Sequence, residues 1–191
     1  YVAGRTRPDL VNPSPNTSTA APRIASAVAM LVQAGHDNSA WSIDPVTTSM
    51  TNRAGILVRN AERSEVIKAA LMAGADRVTH DSTSADLLNY RRSGTDQTAN
   101  GLDRRYGAGQ LNVRNSYWIL AAGEQGSTED GNAGANVASR GFDYDPYFGG
   151  SSSNAEATYT LPVDTVPRLL TAALVWNLDI NGGTASNFNP A

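Results

Sequence analysis

The run Pro13-Ser14-Pro15-Asn16-Thr17-Ser18-Thr19-Ala20-Ala21-Pro22-Arg23-Ile24 constrains this chain more than any other stretch. Pro8, Pro13 and Pro15 forbid a helix and push the residues before them into extended geometry, so residues 1–15 read as a short extended piece and a loop. From Ser18 the pattern changes. Ile24, Ala27, Val28, Leu31 and Val32 recur at helical spacing, and Ala20, Ala21, Ala25 and Ala29 fill the other faces. Pro22 falls where a first turn tolerates proline, and Gly35 is the expected stop. A helix apolar on several sides is expected to run through a core. Ser18 then stands at its mouth, where a hydroxyl has two uses. It can cap the helix by accepting from a first-turn N–H, or it can be a nucleophile beside the positive end of the helix dipole.

Composition narrows the classes. With 191 residues, 40% of them hydrophobic, the chain can bury a core in one domain or two. Its 15 basic and 18 acidic residues are too balanced to suggest a nucleic-acid or anionic-membrane surface. No apolar run reaches the roughly 20 residues of a membrane helix. The absence of Cys rules out disulfides and thiolate metal sites. Lys68 is the only lysine, while Arg, Asn, Thr and Ser abound, a balance that suggests a secreted or extracellular protein. The opening at Tyr1 and the stop at Asn189-Pro190-Ala191 read as cuts in a longer polypeptide.

Further along, a strand-like Ile56-Leu57-Val58 precedes a second helix from Ser64, with Val66, Ile67, Ala70 and Leu71 on one face and Gly74 at its end. Residues 76–105 read as a polar excursion with a helical turn near Asp86-Leu87-Leu88. Tyr106-Gly107-Ala108-Gly109 is a tight turn ahead of a third helix over Val113 to Ala121. Residues 123–154 are dominated by Gly, Ser, Asn and Asp and make the best linker. Beyond them Ala157–Leu161 alternates and Leu169–Trp176 is strand-like, with Trp176 expected in a sandwich core. The division is therefore 1–122 helix-rich, 123–154 linker, and 155–191 the start of an all-β module.

Arg7-Pro8-Asp9-Leu10-Val11-Asn12-Pro13, followed by Asn16-Thr17-Ser18-Thr19-Ala20-Ala21-Pro22 and an Ala-rich apolar helix, resembles the nucleophile region of the subtilisin-like serine proteases. In that family Lys/Arg-Pro-Asp-apolar-Val-Ala-Pro-Gly leads to Gly-Thr-Ser-Met-Ala-x-Pro-His-Val-Ala-Gly. Glu65–Leu71 looks like the family's next helix, Tyr106–Asn112 like its Tyr-Gly-x-Gly-apolar-apolar-Asn turn, and Leu169–Asn177 like a strand of the β-sandwich often appended to it. The resemblance implies an α/β fold: the C-terminal part of a subtilisin-like parallel-sheet domain, then an all-β sandwich-like module. It implies a serine endopeptidase acting on protein or peptide substrates, with Ser18 as nucleophile. Ser18, Thr17 and Asn16 would form or position the oxyanion site, and no cofactor would enter the chemistry.

The departures are Asn16 where the family has Gly, Arg23 where it has His, and Asn12-Pro13-Ser14 for Ala-Pro-Gly. In the family the catalytic Asp, His and oxyanion Asn all precede the Ser, yet residues 1–17 contain no His. The resemblance therefore implies that an upstream part of the protein carries them. His36 and His80, each followed by Asp, are not substitutes; His36 stands at the far end of the helix that Ser18 begins, about 27 Å away. Those His-Asp pairs also raise a metal-dependent phosphohydrolase, but they lack a third His and helical ligand spacing, so surface loops are the better reading. Asp143 and Asp145 in the Gly-rich stretch are candidates for a structural Ca²⁺, against an unliganded polar loop. Asn16-Thr17-Ser18 also fits a glycosylation sequon, and Gly107-Ala108-Gly109 lacks the third glycine of a dinucleotide site. The rival functions are a catalytically inactive scaffold of the same family and an extracellular binding protein.

Overall fold

The computed structural model describes residues 8–43, 50–87, 102–103, 105–126, 128–129, 135–146, 148, 156–161, 169–177, 180–184 and 187–190. Of the stretches read above, residues 1–7, 88–101, 104, 127, 130–134, 147, 149–155, 162–168, 178–179, 185–186 and 191 lie outside them.

Helix α1 covers Thr17–Asp37. It runs straight through Gly35, the expected stop, and is closed instead by Asn38, whose backbone N–H and side-chain amide both donate to the Ala34 carbonyl. Gly35 serves close approach: a Cβ there would lie 2.7 Å from the Ala61 carbonyl oxygen, in the 3₁₀ turn Asn60–Glu62 that packs across it. Ala27, Leu31 and Gly35 form the buried face of α1. Ala21, Ala25 and Ala29 are exposed and Met30 is 66% exposed, so among the described residues α1 lies along a surface rather than through a core. Of the small residues that suggested burial on every side, only Ala20 is even half-buried.

Helix α2 (Ser64–Ala73) buries the four residues its spacing named, Val66, Ile67, Ala70 and Leu71, and ends at Gly74. Helix α3 (Val113–Ala121) starts on Asn112, whose side chain accepts from the Asn115 N–H at 3.0 Å. Leu31 of α1, Ile67 and Leu71 of α2 and Leu120 of α3 share one core, and Phe142 joins it. Phe142 comes from the Gly/Ser/Asn/Asp-rich stretch. Gln125 N–H donates to Phe142 O at 2.7 Å within that stretch, and Glu124 N–H donates at 2.9 Å to Trp41 O in the 3₁₀ turn Ser39–Trp41 that follows α1, so the first part of the expected linker is bonded to the helical part.

The strands are short. β1 (Met50–Thr51) and β2 (Leu57–Val58) pair antiparallel. β5 (Ala157–Thr160) lies between β3 (Thr128–Glu129), antiparallel to it, and β4 (Ala135–Asn136), parallel to it. β6 (Ile180–Thr184) and β7 (Asn187–Pro190) pair antiparallel. Residues 169–177 form no strand among the described residues, and Trp176 is 66% exposed rather than in a core. Asp86 and Leu87 likewise form no helical turn.

The segment that enters α1 is held by backbone from far along the chain. Gln110 bonds on both sides. It exchanges hydrogen bonds with Asp76 at 2.8 and 2.9 Å, while its chain neighbours flank Val11: Val11 N–H donates to Gly109 O at 3.0 Å and Leu111 N–H to Val11 O at 2.8 Å. Such proximity needs glycine. Gly107 has φ 61°, and a Cβ on it would lie 2.3 Å from the Pro8 carbonyl oxygen; Gly109 has φ 130°, and its Cβ would lie 2.3 Å from the Asp76 carbonyl oxygen. The Tyr106–Gly109 turn read from the sequence is thus a contact between three segments.

Two predictions follow from this packing. Gly109→Ala is expected to lower the unfolding free energy by about 3 kcal/mol or more, since strain adds to a backbone clash. Gly55→Ala, at φ 77° with nothing near, should lose only about 1–2 kcal/mol. Equal losses in urea melts would contradict the close-approach account. The second concerns Asp103. Burial pushes its carboxyl up, but N–H groups of Asp86, Arg105 and Tyr106 outweigh that and hold it below the usual carboxylate range. A lowered folded pKa gives stability that is full above the ordinary value of about 3.9 and is lost as pH falls through the lowered one. The protection of the Arg105 and Tyr106 amides, taken relative to their intrinsic exchange rates, should therefore fall on acidification through that window, and less so in Asp103→Asn.

Candidate functional site

The approach to α1, Asn12–Pro15, makes few hydrogen bonds of its own. Pro13 and Pro15 have no N–H, and among the described residues Asn12 Nδ2 and Ser14 Oγ are buried polar atoms without a partner. Each such atom costs about 1–3 kcal/mol relative to a satisfied one. Asn16 ends the turn. It is extended (φ −159°, ψ 166°), and its Oδ1 accepts from both the Thr19 N–H and the Thr19 hydroxyl at 2.9 Å. The cap of α1 is therefore Asn16.

This changes what Ser18 can be. The helix begins at Thr17, one residue earlier than its apolar periodicity suggested, so Ser18 is the second helical residue and does not cap. Asn, like Ser, is among the strongest N-cap types, and with Thr19 three positions on it offered a signal that the periodicity alone missed. Asn16, Thr17 and Ser18 are all exposed. Of the first-turn N–H groups, Thr19's goes to Asn16 Oδ1 and Ala20's to the Asn16 carbonyl at 3.1 Å. Among the described residues neither the Ser18 hydroxyl nor its backbone N–H has a partner. An uncommitted N–H at the positive end of a 21-residue helix can stabilise developing negative charge beside the hydroxyl.

Pro22 is the sixth residue of α1 and lies in the second turn, beyond the first-turn position expected for it. Lacking an N–H, it cannot bond the Ser18 carbonyl four residues back. Ser26 Oγ donates to the Pro22 carbonyl at 2.9 Å. Arg23 reaches backwards, its guanidinium donating to the Pro13 carbonyl at 2.7 Å. No feature of the sequence pattern announced that bond.

The other candidate residues lie away from the start of α1 or make contacts of their own. His36 sits at the opposite end of α1, its Nδ1 3.1 Å from Glu62 Oε1, and Arg59 Nε donates to the His36 carbonyl. His80 is exposed, and its backbone N–H donates to Gln110 Oε1 at 2.7 Å. The hydrogen bonds from the Thr79 hydroxyl and the Thr83 N–H hold the Asp81 carboxyl below its ordinary value. Among the described residues no three His, Asp or Glu side chains converge as metal ligands, and Asp143 accepts from the Tyr159 hydroxyl at 2.7 Å. A buried polar network joins Arg63, Asn60 and Glu124: Arg63 Nε donates to Asn60 Oδ1 and Asn60 Nδ2 to Glu124. Arg63 also lies 4.4 Å from the Tyr144 ring centroid. An open apolar groove of about 380 Å³ runs between α1 and α3, lined by Met30, Leu31, Val113, Tyr117 and Trp118. It begins about 18 Å along α1 from Ser18 and does not belong to the same site.

Comparison with protein-family models, with curated proteins and with solved structures finds no match for this chain.

The exchange of roles between Asn16 and Ser18 is measurable. Asn16→Ala is expected to destabilise by about 1 kcal/mol, the loss typical of an N-cap. Ser18→Ala should stay within about 0.5 kcal/mol of the parent. The reverse order in thermal or urea melts would return the cap to Ser18.

Proposed function

We propose that this chain supplies the nucleophile segment of a subtilisin-like serine endopeptidase, with Ser18 as the nucleophile. One observation carries the reading: capping by Asn16 leaves the Ser18 hydroxyl and N–H both unengaged on an exposed helix start. The order of the surrounding motifs supports it, from Pro8-Asp9 through the Tyr106–Gly109 turn that braces the same segment. The fold proposed is the C-terminal part of an α/β parallel-sheet domain followed by a β-sandwich module, in a secreted protein.

In the proposed reaction Ser18 Oγ attacks the peptide carbonyl carbon while its proton passes to a histidine. The carbonyl π electrons move to oxygen, where the Ser18 N–H and an asparagine amide donate to the oxyanion. Collapse breaks the C–N bond, the histidine protonates the leaving amine, and water hydrolyses the acyl-enzyme. Thr17 and Asn16 set the backbone beside the carbonyl. His36 is paired with Glu62 at the far end of α1, and His80 is an exposed loop residue outside the family's His motif, so the histidine, its aspartate and the asparagine are assigned to a part of the polypeptide outside these 191 residues. An inactive scaffold is the second reading. It is favoured by Asn16, whose side chain occupies the first turn where the family has glycine.

A fluorophosphonate probe is expected to label Ser18 in the full-length protein and not in Ser18→Ala. The substitution should lower kcat by roughly 10⁶, the loss seen when a triad nucleophile is removed. The 191-residue chain alone should show no turnover. Absence of labelling in well-folded full-length protein would favour the scaffold.

A further inference from the structure

Arg23 and Asn16 are seven residues apart on or next to α1, almost two full turns, so they lie on nearly the same face. Long helical side chains lean toward the N-terminus. Arg23 therefore runs up the first two turns and meets the Pro13 carbonyl at 2.7 Å, ten residues back in the chain. Among the described residues no other hydrogen bond reaches the backbone of residues 12–15. The prolines at 13 and 15 cannot donate, and Asn12 Nδ2 and Ser14 Oγ find no partner, so this turn has almost nothing of its own to hold it. A charge-assisted bond, roughly twice as strong as a neutral one, closes it.

We propose that Arg23 is a positioning residue for Ser18, fastening the Asn12–Pro15 turn to the second turn of α1; the inference rests on the reading of Ser18 as a nucleophile. Ser18 lies five residues before Arg23, some 140° around the helix, so the guanidinium does not stand in front of the hydroxyl. It acts through the turn. Val11 is held on one side by Gly109 and Leu111, and Asn16 on the other by Thr19; Arg23 locks the four residues between. The substrate backbone in the proposed reaction passes beside Asn16, so a loose turn misaligns the carbonyl with Ser18. Misplacement by about 1 Å lowers rates by about 10²-fold.

The test uses the full-length protein and a fluorophosphonate probe, with labelling of Ser18 split into affinity and maximal rate. Arg23→Ala is expected to lower the maximal rate by about 10–10²-fold with the probe affinity unchanged, and millimolar guanidinium should restore it. Guanidinium should not restore Ser18→Ala. Deuterium uptake at Thr19 and Ala20, whose N–H groups bond Asn16 at the end of this turn, should rise in Arg23→Ala. Should Arg23→Ala fail to fold, Arg23→Lys and Arg23→Gln carry the test: a graded loss, smaller for Lys, supports the role, and parental rates in both overturn it. Labelled parent with unchanged Arg23→Ala refutes the positioning role alone. An unlabelled parent refutes the reading of Ser18 and removes the catalytic role of Arg23 with it.

Discussion

Everything near the start of α1 depends on three stretches of backbone coming within hydrogen-bonding distance at Gln110. Asp76 bonds it from one side, and Val11 threads between Gly109 and Leu111 on the other. No side chain could replace these contacts, since they require two glycines to remove the atoms that would otherwise collide with carbonyl oxygens. The junction is extended by Asn112, which caps α3 with its oxygen and donates its amide to the Asp76 carboxylate at 2.9 Å. A turn and a cap that are neighbours in sequence are thereby joined by backbone hydrogen bonds to an entry loop more than 90 residues earlier.

The division of labour in the first turn of α1 is the chemical counterpart of that rigidity. Asn16 satisfies the turn with one carboxamide oxygen, accepting twice from Thr19. A residue that stands where the resemblance leads one to expect glycine thus has a clear local purpose. Its effect is to leave the neighbouring hydroxyl unneeded for structure. Proline at 22 works in the same direction on the carbonyl side, by withholding the N–H that a regular helix would send to Ser18.

The helices were readable because their apolar spacing is local. Val66, Ile67, Ala70 and Leu71 are buried as their periodicity requires, and α3 has the limits its sequence suggested. Gly35 misled because glycine ends helices for conformational reasons but also permits close packing, and only the position of Ala61 decides which. Phe142 lies in the stretch read as a linker, and nothing in residues 123–154 reveals that it packs in the core with Leu31 and Leu120. Trp176 ends the strand-like run from Leu169, which forms no strand among the described residues, because pairing requires a partner and an apolar run alone does not supply one. At the candidate site, Ser18 was visible as a residue type in a motif. The Asn16 cap was signalled by its residue type three positions before Thr19, but the reach of Arg23 was not, because it depends on where the chain turns back.

Lys68 has a consequence of a practical kind. It is the chain's single lysine, its ammonium 3.3 Å from the Asp9 carboxylate and its side chain 46% exposed. An exposed pair like this adds at most about 1 kcal/mol to stability. It nevertheless joins the outer face of α2 to the strand-like segment that leads into α1. Apart from the terminal amine, an amine-directed dye has one place to attach. A fluorophore there would sit on the partner of Asp9 and report on that segment from outside the site, so the chain carries its own single-point label.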